Sequence, residues 1–181
     1  MDAVGQVVVD GWGRVAEETT AQLRRCRVPV RAGAHAADAA ELDVAAGGPA
    51  PALVLLAVED LEPEWLRAPS LGAPWQVRGV PLLPVTGRGG VLVVGPLVVP
   101  GRTACLTCVR ASVPAPGPGP VPTAAVVLGA AVATVTALAV LAGDLALGGI
   151  STELGAGGGD VVHRVWTSWP GCRCTSATMA G

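Results

Sequence analysis

Four of the five cysteines in this 181-residue chain fall in two close pairs. Cys105 and Cys108 form CxxC within "GRTACLTCVR", and Cys172 and Cys174 form CxC within "WPGCRC". Each pair follows a Pro-Gly step, Pro100-Gly101 or Pro170-Gly171, so both sit in turn-rich sequence where the backbone can fold two thiolates toward one ion. Two such pairs give the tetrahedral four-thiolate set that zinc favours in closed structural sites, with no position left for a reactive water. A structural zinc held by Cys105, Cys108, Cys172 and Cys174 is therefore expected, acting in fold closure rather than catalysis. Two other readings stand beside it: thiols that are simply buried, and a dithiol redox centre. Against the redox reading, the CxxC follows a hairpin and is not expected to open a helix after a thioredoxin-type strand. Cys26 reads as a core residue of the first helix.

A second motif lies near the N-terminus. "DGWGRVA" contains Gly11-x-Gly13-x-x-Ala16 between a strand and a helix, which fits the dinucleotide fingerprint and makes these three residues the candidate nucleotide turn. Such glycines let the chain approach a phosphate at a helix N-terminus. Its surroundings argue the other way. Trp12 makes the turn bulky, Asp10 and the Glu17-Glu18 pair make it acidic, and Arg31 stands where a ribose would need an acid. These features argue against ATP as a ligand of the turn, and an NADP enzyme using Arg31 lacks any following base. Glu59 and Asp60 end a central strand, where ligands bind in such sheets, but the plainer reading is a solvated strand end and helix cap. His35 and His163 stand alone and receive no role. Trp166 and Trp169 flank the second cysteine pair as a shield or a partner surface.

These residues need a scaffold, and the sequence describes one. Strands are expected at 5–10, 28–33 and 52–60, with helices after the first two, giving a parallel β-α-β-α-β start. The runs 79–86 and 91–98, joined by "GRGG", allow only a hairpin, so the sheet turns mixed there. "PAPGPGPVP", residues 114–122, is an extended internal connector. A long apolar helix over 124–142, a Gly-rich loop and a last strand in "VVHRVWT" complete one α/β domain spanning 1–181, closed by the cysteine site.

Composition sets outer limits. Hydrophobic residues make up 51% of the chain, yet its only aromatics are five Trp, so the core must be Val, Leu and Ala. There is no Lys, which excludes lysine-dependent chemistry, and a net charge of -2 without a basic block excludes nucleic acid as the expected partner. The start is not a signal peptide, and the cytoplasm is expected. Residues 124–142 are uncharged, but Ala, Gly and Thr dominate and no interface anchors flank them, so a packed helix is expected rather than a membrane span.

Taken together, "VVVDGWGRVAEETTAQL", "ALVLLAVED", "VGPLVVPGRTACLTCVR" and "WTSWPGCRC" resemble the ThiF-like relatives of ubiquitin-activating enzymes, in the branch that partners YcaO cyclodehydratases. Gly95-Pro96, Pro100-Gly101, Cys105, Leu106, Cys108, Pro170, Cys172 and Cys174 carry the likeness, which covers nearly the whole chain. It implies a Rossmann-like fold, a four-cysteine zinc, and a noncatalytic role in presenting a ribosomal precursor peptide to a YcaO enzyme. That enzyme spends ATP to activate a backbone amide, so that a Cys, Ser or Thr side chain closes an azoline ring. The sequence departs from the branch in starting at the first Rossmann strand, without a leader-binding winged helix, so leader recognition is expected of a separate protein or in an unusual manner. The segment where activating enzymes carry a thioester cysteine, "PAPGPGPVPT", has none. The competing expectation is a small adenylating enzyme acting on a peptide or carrier C-terminus. A homodimer with the apolar helix in its interface is expected as well.

Overall fold

The computed structural model describes residues 5–59, 72–112, 119–155, 160–172 and 174. A seven-stranded sheet runs in the order β2-β1-β3-β4-β5-β6-β7, with β1 Val7–Gly11, β2 Val30–Gly33, β3 Leu53–Val58, β4 Leu82–Arg88, β5 Val91–Val94, β6 Ile150–Leu154 and β7 Val161–Val165. The first four strands are parallel and the remaining pairings antiparallel, so the sheet is mixed as the sequence predicts. The helices are α1 Arg14–Arg25, α2 Ala36–Ala45, α3 Ala73–Val77, α4 Leu106–Ser112 and α5 Thr123–Leu141.

Three layers follow from the alternation of strand side chains. Val7, Val9, Leu53 and Leu55 point to one face, where α1 and α5 bury Val15, Leu23, Ala133 and Ala137 against them. Val8, Val54 and Leu82 point to the other, under Ala37 and Ala40 of α2 and Trp75 of α3. Small side chains let the helices lie close. At Gly129 of α5 an added Cβ would come within 2.1 Å of the Leu92 side chain on β5, so a larger residue there would have to displace Leu92.

The long apolar helix is this packed element. Among the described residues it alone is long and apolar enough to cross a membrane, yet its Ala125, Ala130, Ala133 and Ala137 face is buried against α1 and the sheet. Its other face keeps Val127, Leu128 and Val135 exposed. The hydroxyls of Thr19 on α1 and Thr134 on α5 are buried without a hydrogen-bond partner. An unsatisfied buried hydroxyl costs about 1–3 kcal/mol, whereas a methyl of the same shape costs nothing there. Thr134→Val is therefore expected to raise the thermal midpoint, read by circular dichroism.

Three elements escape the sequence reading. β6, "ISTEL", stands between the long apolar helix and the Gly-rich loop, where the sequence suggests no strand, and α3 and α4 are short. Two positions differ from expectation. Cys26 is exposed, because α1 stops at Arg25 and the apolar period ends before reaching it. The CxxC does open a helix, since Leu106 and Val109 supply a buried face that continues from Cys105. Of the 114–122 connector only 119–122 is described, and Asp60 lies outside the described residues.

Candidate metal centre and nucleotide turn

The four paired cysteines meet at one point. Cys105 precedes α4 and Cys108 sits in its first turn, both buried, while Cys172 and Cys174 arrive from the chain after β7. The Sγ atoms of Cys105 and Cys108 are 3.8 Å apart, Cys105 and Cys172 3.7 Å, and Cys108 and Cys174 3.7 Å. All four lie within 4.8 Å of one another. These separations are far too long for disulfides, whose sulfurs bond at about 2.0 Å. They match the edge of a tetrahedron whose centre stands about 2.3 Å from each sulfur, the zinc–thiolate distance. The cluster could hold a metal ion, and a two-thiol redox centre would not need Cys172 and Cys174 equally close.

The surroundings fit an ion that must be closed in. The Trp169 N–H donates to Cys108 Sγ at 3.2 Å, and Ser168 Oγ lies 3.7 Å from Cys174 Sγ. Trp166 packs against the cluster, anchored through Nε1 to Ser151 Oγ at 2.8 Å, whereas the Trp169 ring is exposed. Burial pushes the Cys172 thiol up to about 12, reinforced by its thiol neighbours. At Cys174 burial also raises the thiol, but hydrogen bonds from the Cys105 backbone, Ser168 and the other thiols prevail and lower it to about 7. One thiolate near neutrality thus comes at the expense of its neighbours. A dication removes that conflict, because all four sulfurs can ionise around it.

The glycine turn is built differently from a phosphate cradle. At Gly11, φ is +142° and an added Cβ would fall 1.8 Å from the Ala57 carbonyl oxygen, so glycine there serves the close approach of β1 to β3. Gly13, at φ +86°, caps α1, and Ala16 is buried in the core. The N-terminus of α1, where a phosphate would sit, faces a carboxylate of this chain. Glu59, 8% exposed at the end of β3, accepts the Val15 N–H through Oε2 at 3.3 Å and pairs with Arg14. Arg14 also donates to the Val121 carbonyl at 2.9 Å and lies 3.3 Å from Thr123 Oγ1, tying the turn to the start of α5. Glu59 is therefore a buried helix cap rather than a solvated strand end. Arg31, the candidate for a 2′-phosphate, is paired with Asp43 across β2 and α2.

Asp10 closes the other side of the turn, accepting the Ala36 N–H at 2.8 Å to cap α2. Burial raises its carboxyl above the ordinary range, against the Ala36 and Ala37 N–H groups that lower it. A carboxyl raised in the fold contributes stability at low pH that is lost as pH rises through the folded value. Asp10→Asn, which keeps the acceptor, should therefore stabilise the protein at pH 7 relative to wild type. The gain should shrink toward zero near pH 3, as checked by paired thermal melts.

No protein-family profile matches the sequence, and no curated protein sequence matches it. Solved structures do match in fold. A heterocyclase in complex with substrate and cofactor aligns with 94% of this chain at TM-score 0.69 and 18% identity, and the heterocyclase TruD with 93% at TM-score 0.63 and 17% identity. MccB of E. coli aligns over 94% at TM-score 0.65 and 12% identity, and its ATP complex at TM-score 0.64. The matched region is 25% of the first heterocyclase, 26% of TruD and 65% of MccB. At these identities the likeness defines a class by fold: the mixed Rossmann-like α/β domain shared by heterocyclases and MccB.

Proposed function

We propose that the chain is a noncatalytic docking protein of modified-peptide biosynthesis, which presents a ribosomal precursor peptide to a YcaO-type ATP-dependent cyclodehydratase and stimulates azoline formation. The observation that carries the noncatalytic part is Glu59. With a carboxylate of its own accepting the Val15 N–H at the α1 N-terminus and Arg14 paired with it, the Gly11, Gly13 and Ala16 turn opposes the negative charge of a triphosphate. The fold likeness to heterocyclases supports the pathway. Zinc on Cys105, Cys108, Cys172 and Cys174 ties the end of β7 to α4 in this reading and does no chemistry. Two copies associate in the cytoplasm, with the exposed Val127, Leu128 and Val135 face of α5 between them.

The second reading is a small ATP-dependent adenylating enzyme acting on a peptide or carrier C-terminus, favoured by the likeness to MccB bound to ATP. ATP–pyrophosphate exchange separates the two. The docking reading predicts no exchange with any peptide C-terminus tested, and co-purification with a YcaO enzyme. Exchange that depends on a peptide, lost in Gly13→Trp, would instead establish the adenylating enzyme.

A further inference from the structure

The C-terminal ends of β1 and β3 open into a cavity of about 280 Å³ on the α2 side of the sheet. Here α1 departs over one face and α2 over the other, which makes this the switch-point crevice where open α/β sheets take ligands. Its lining is unlike that of a nucleotide site. Leu56 and Trp75, the latter 2% exposed, form an apolar floor, and Trp12, 51% exposed, forms a wall. Three carboxylates, Asp10, Asp38 and Glu41, stand around the mouth.

No arginine lines the cavity among the described residues. The acids are only lightly compensated: His35, which also lines the cavity, places Nδ1 3.2 Å from Asp38 Oδ2, Arg78 Nη1 is 3.7 Å from Glu41 Oε1, and Asp10 Oδ1 takes the Ala36 N–H. A phosphate entering would meet three carboxyl groups and no arginine among the lining residues. A neutral apolar group would leave them facing a drier space. A cation on an apolar stem answers both parts of the lining, with methylenes on Leu56 and the indoles and a head group among the carboxylates. A planar guanidinium suits this best, since it stacks on aromatic faces and donates in several directions at once.

We infer that the crevice holds an arginine side chain of a partner polypeptide. The inference rests on the reading of the chain as a polypeptide-docking protein, and charge complementarity selects the occupant. Nα-acetyl-arginine-N-methylamide, capped at both ends like a residue within a chain, is the probe. Titrated into the intact protein, it should shift the Trp12 and Trp75 indole resonances saturably. The isosteric citrulline derivative should bind at least about tenfold more weakly. Asp38→Asn/Glu41→Gln, changes at exposed or half-exposed positions that leave the core untouched, should cost a similar factor with an unchanged melting temperature.

Equal binding of arginine and citrulline derivatives, or shifts unaffected by the double variant, would overturn the inference. So would tighter binding of free agmatine or spermidine than of the capped residue, because the source would then be a small amine. ATP shifting the same resonances more strongly would overturn it too. The probe needs no partner enzyme, so its failure leaves the docking reading to the co-purification experiment, and failure of co-purification leaves the crevice to the titration.

Discussion

A Cys105→Ser/Cys172→Ser variant is expected to purify without metal and to lose cooperative thermal unfolding, while Cys26→Ser changes neither. The magnitude follows from what the cluster joins. Cys105 and Cys172 are 67 positions apart in sequence and 3.7 Å apart in space. Cross-linking a loop of that length restricts the unfolded chain by about 4 kcal/mol. Against a total domain stability of about 5–15 kcal/mol, that is a large share. Local packing adds to it, because Ala104, Cys105, Cys108 and Trp166 form a small core of their own around the sulfurs. Cys26 is exposed at the end of α1 and touches none of this. Elemental analysis with a thermal melt reads both effects. Wild-type protein that is metal-free, with four freely reactive thiols, would contradict the clamp.

Arg14→Ala is expected to destabilise the protein by about 2 kcal/mol, less than the about 3–5 kcal/mol seen when a fully buried pair is broken, because Arg14 is half-exposed. The loss comes from Glu59, which keeps the Val15 N–H but is left as a buried carboxylate without its cation. The loss should be partly restored in Arg14→Ala/Glu59→Gln, where the amide still accepts from Val15 and carries no charge. Equilibrium urea unfolding of the two variants measures this. Equal stability of wild type and Arg14→Ala would mean that the pair contributes nothing and that water solvates Glu59.

Much of this could be read from residue types. The β-α-β-α-β start and the "GRGG" hairpin follow from apolar periods and from a connection too short for anything else, and the structure has both. The four cysteines are legible because pairs in turn-rich sequence point toward a common centre, and their sulfurs do converge. β6 was not legible, since "ISTEL" is short, half polar and set among glycines; it becomes a strand only because β5 and β7 flank it. Cys26 misleads for a similar reason, as a helical period carries no mark of where the helix stops. Glu59 was visible as a strand-end acid. Its partner Arg14 is 45 positions away, and nothing local announces that the two would meet across the turn. The crevice was legible only as bulk and acidity around Trp12. That Asp38, Glu41 and Trp75 join it from α2 and α3 is a product of the layers.

The central claim is that this chain stimulates a ring-forming enzyme without performing the chemistry itself. Mass spectrometry of a precursor peptide incubated with its YcaO enzyme and ATP, with and without the zinc-loaded protein, tests it most directly. The account predicts loss of one water per ring at a rate that rises sharply when the protein is added, and no change in the peptide when the protein and ATP are supplied alone. Ring formation at the same rate with or without the protein, or an adenylated peptide formed by the protein and ATP alone, would contradict it.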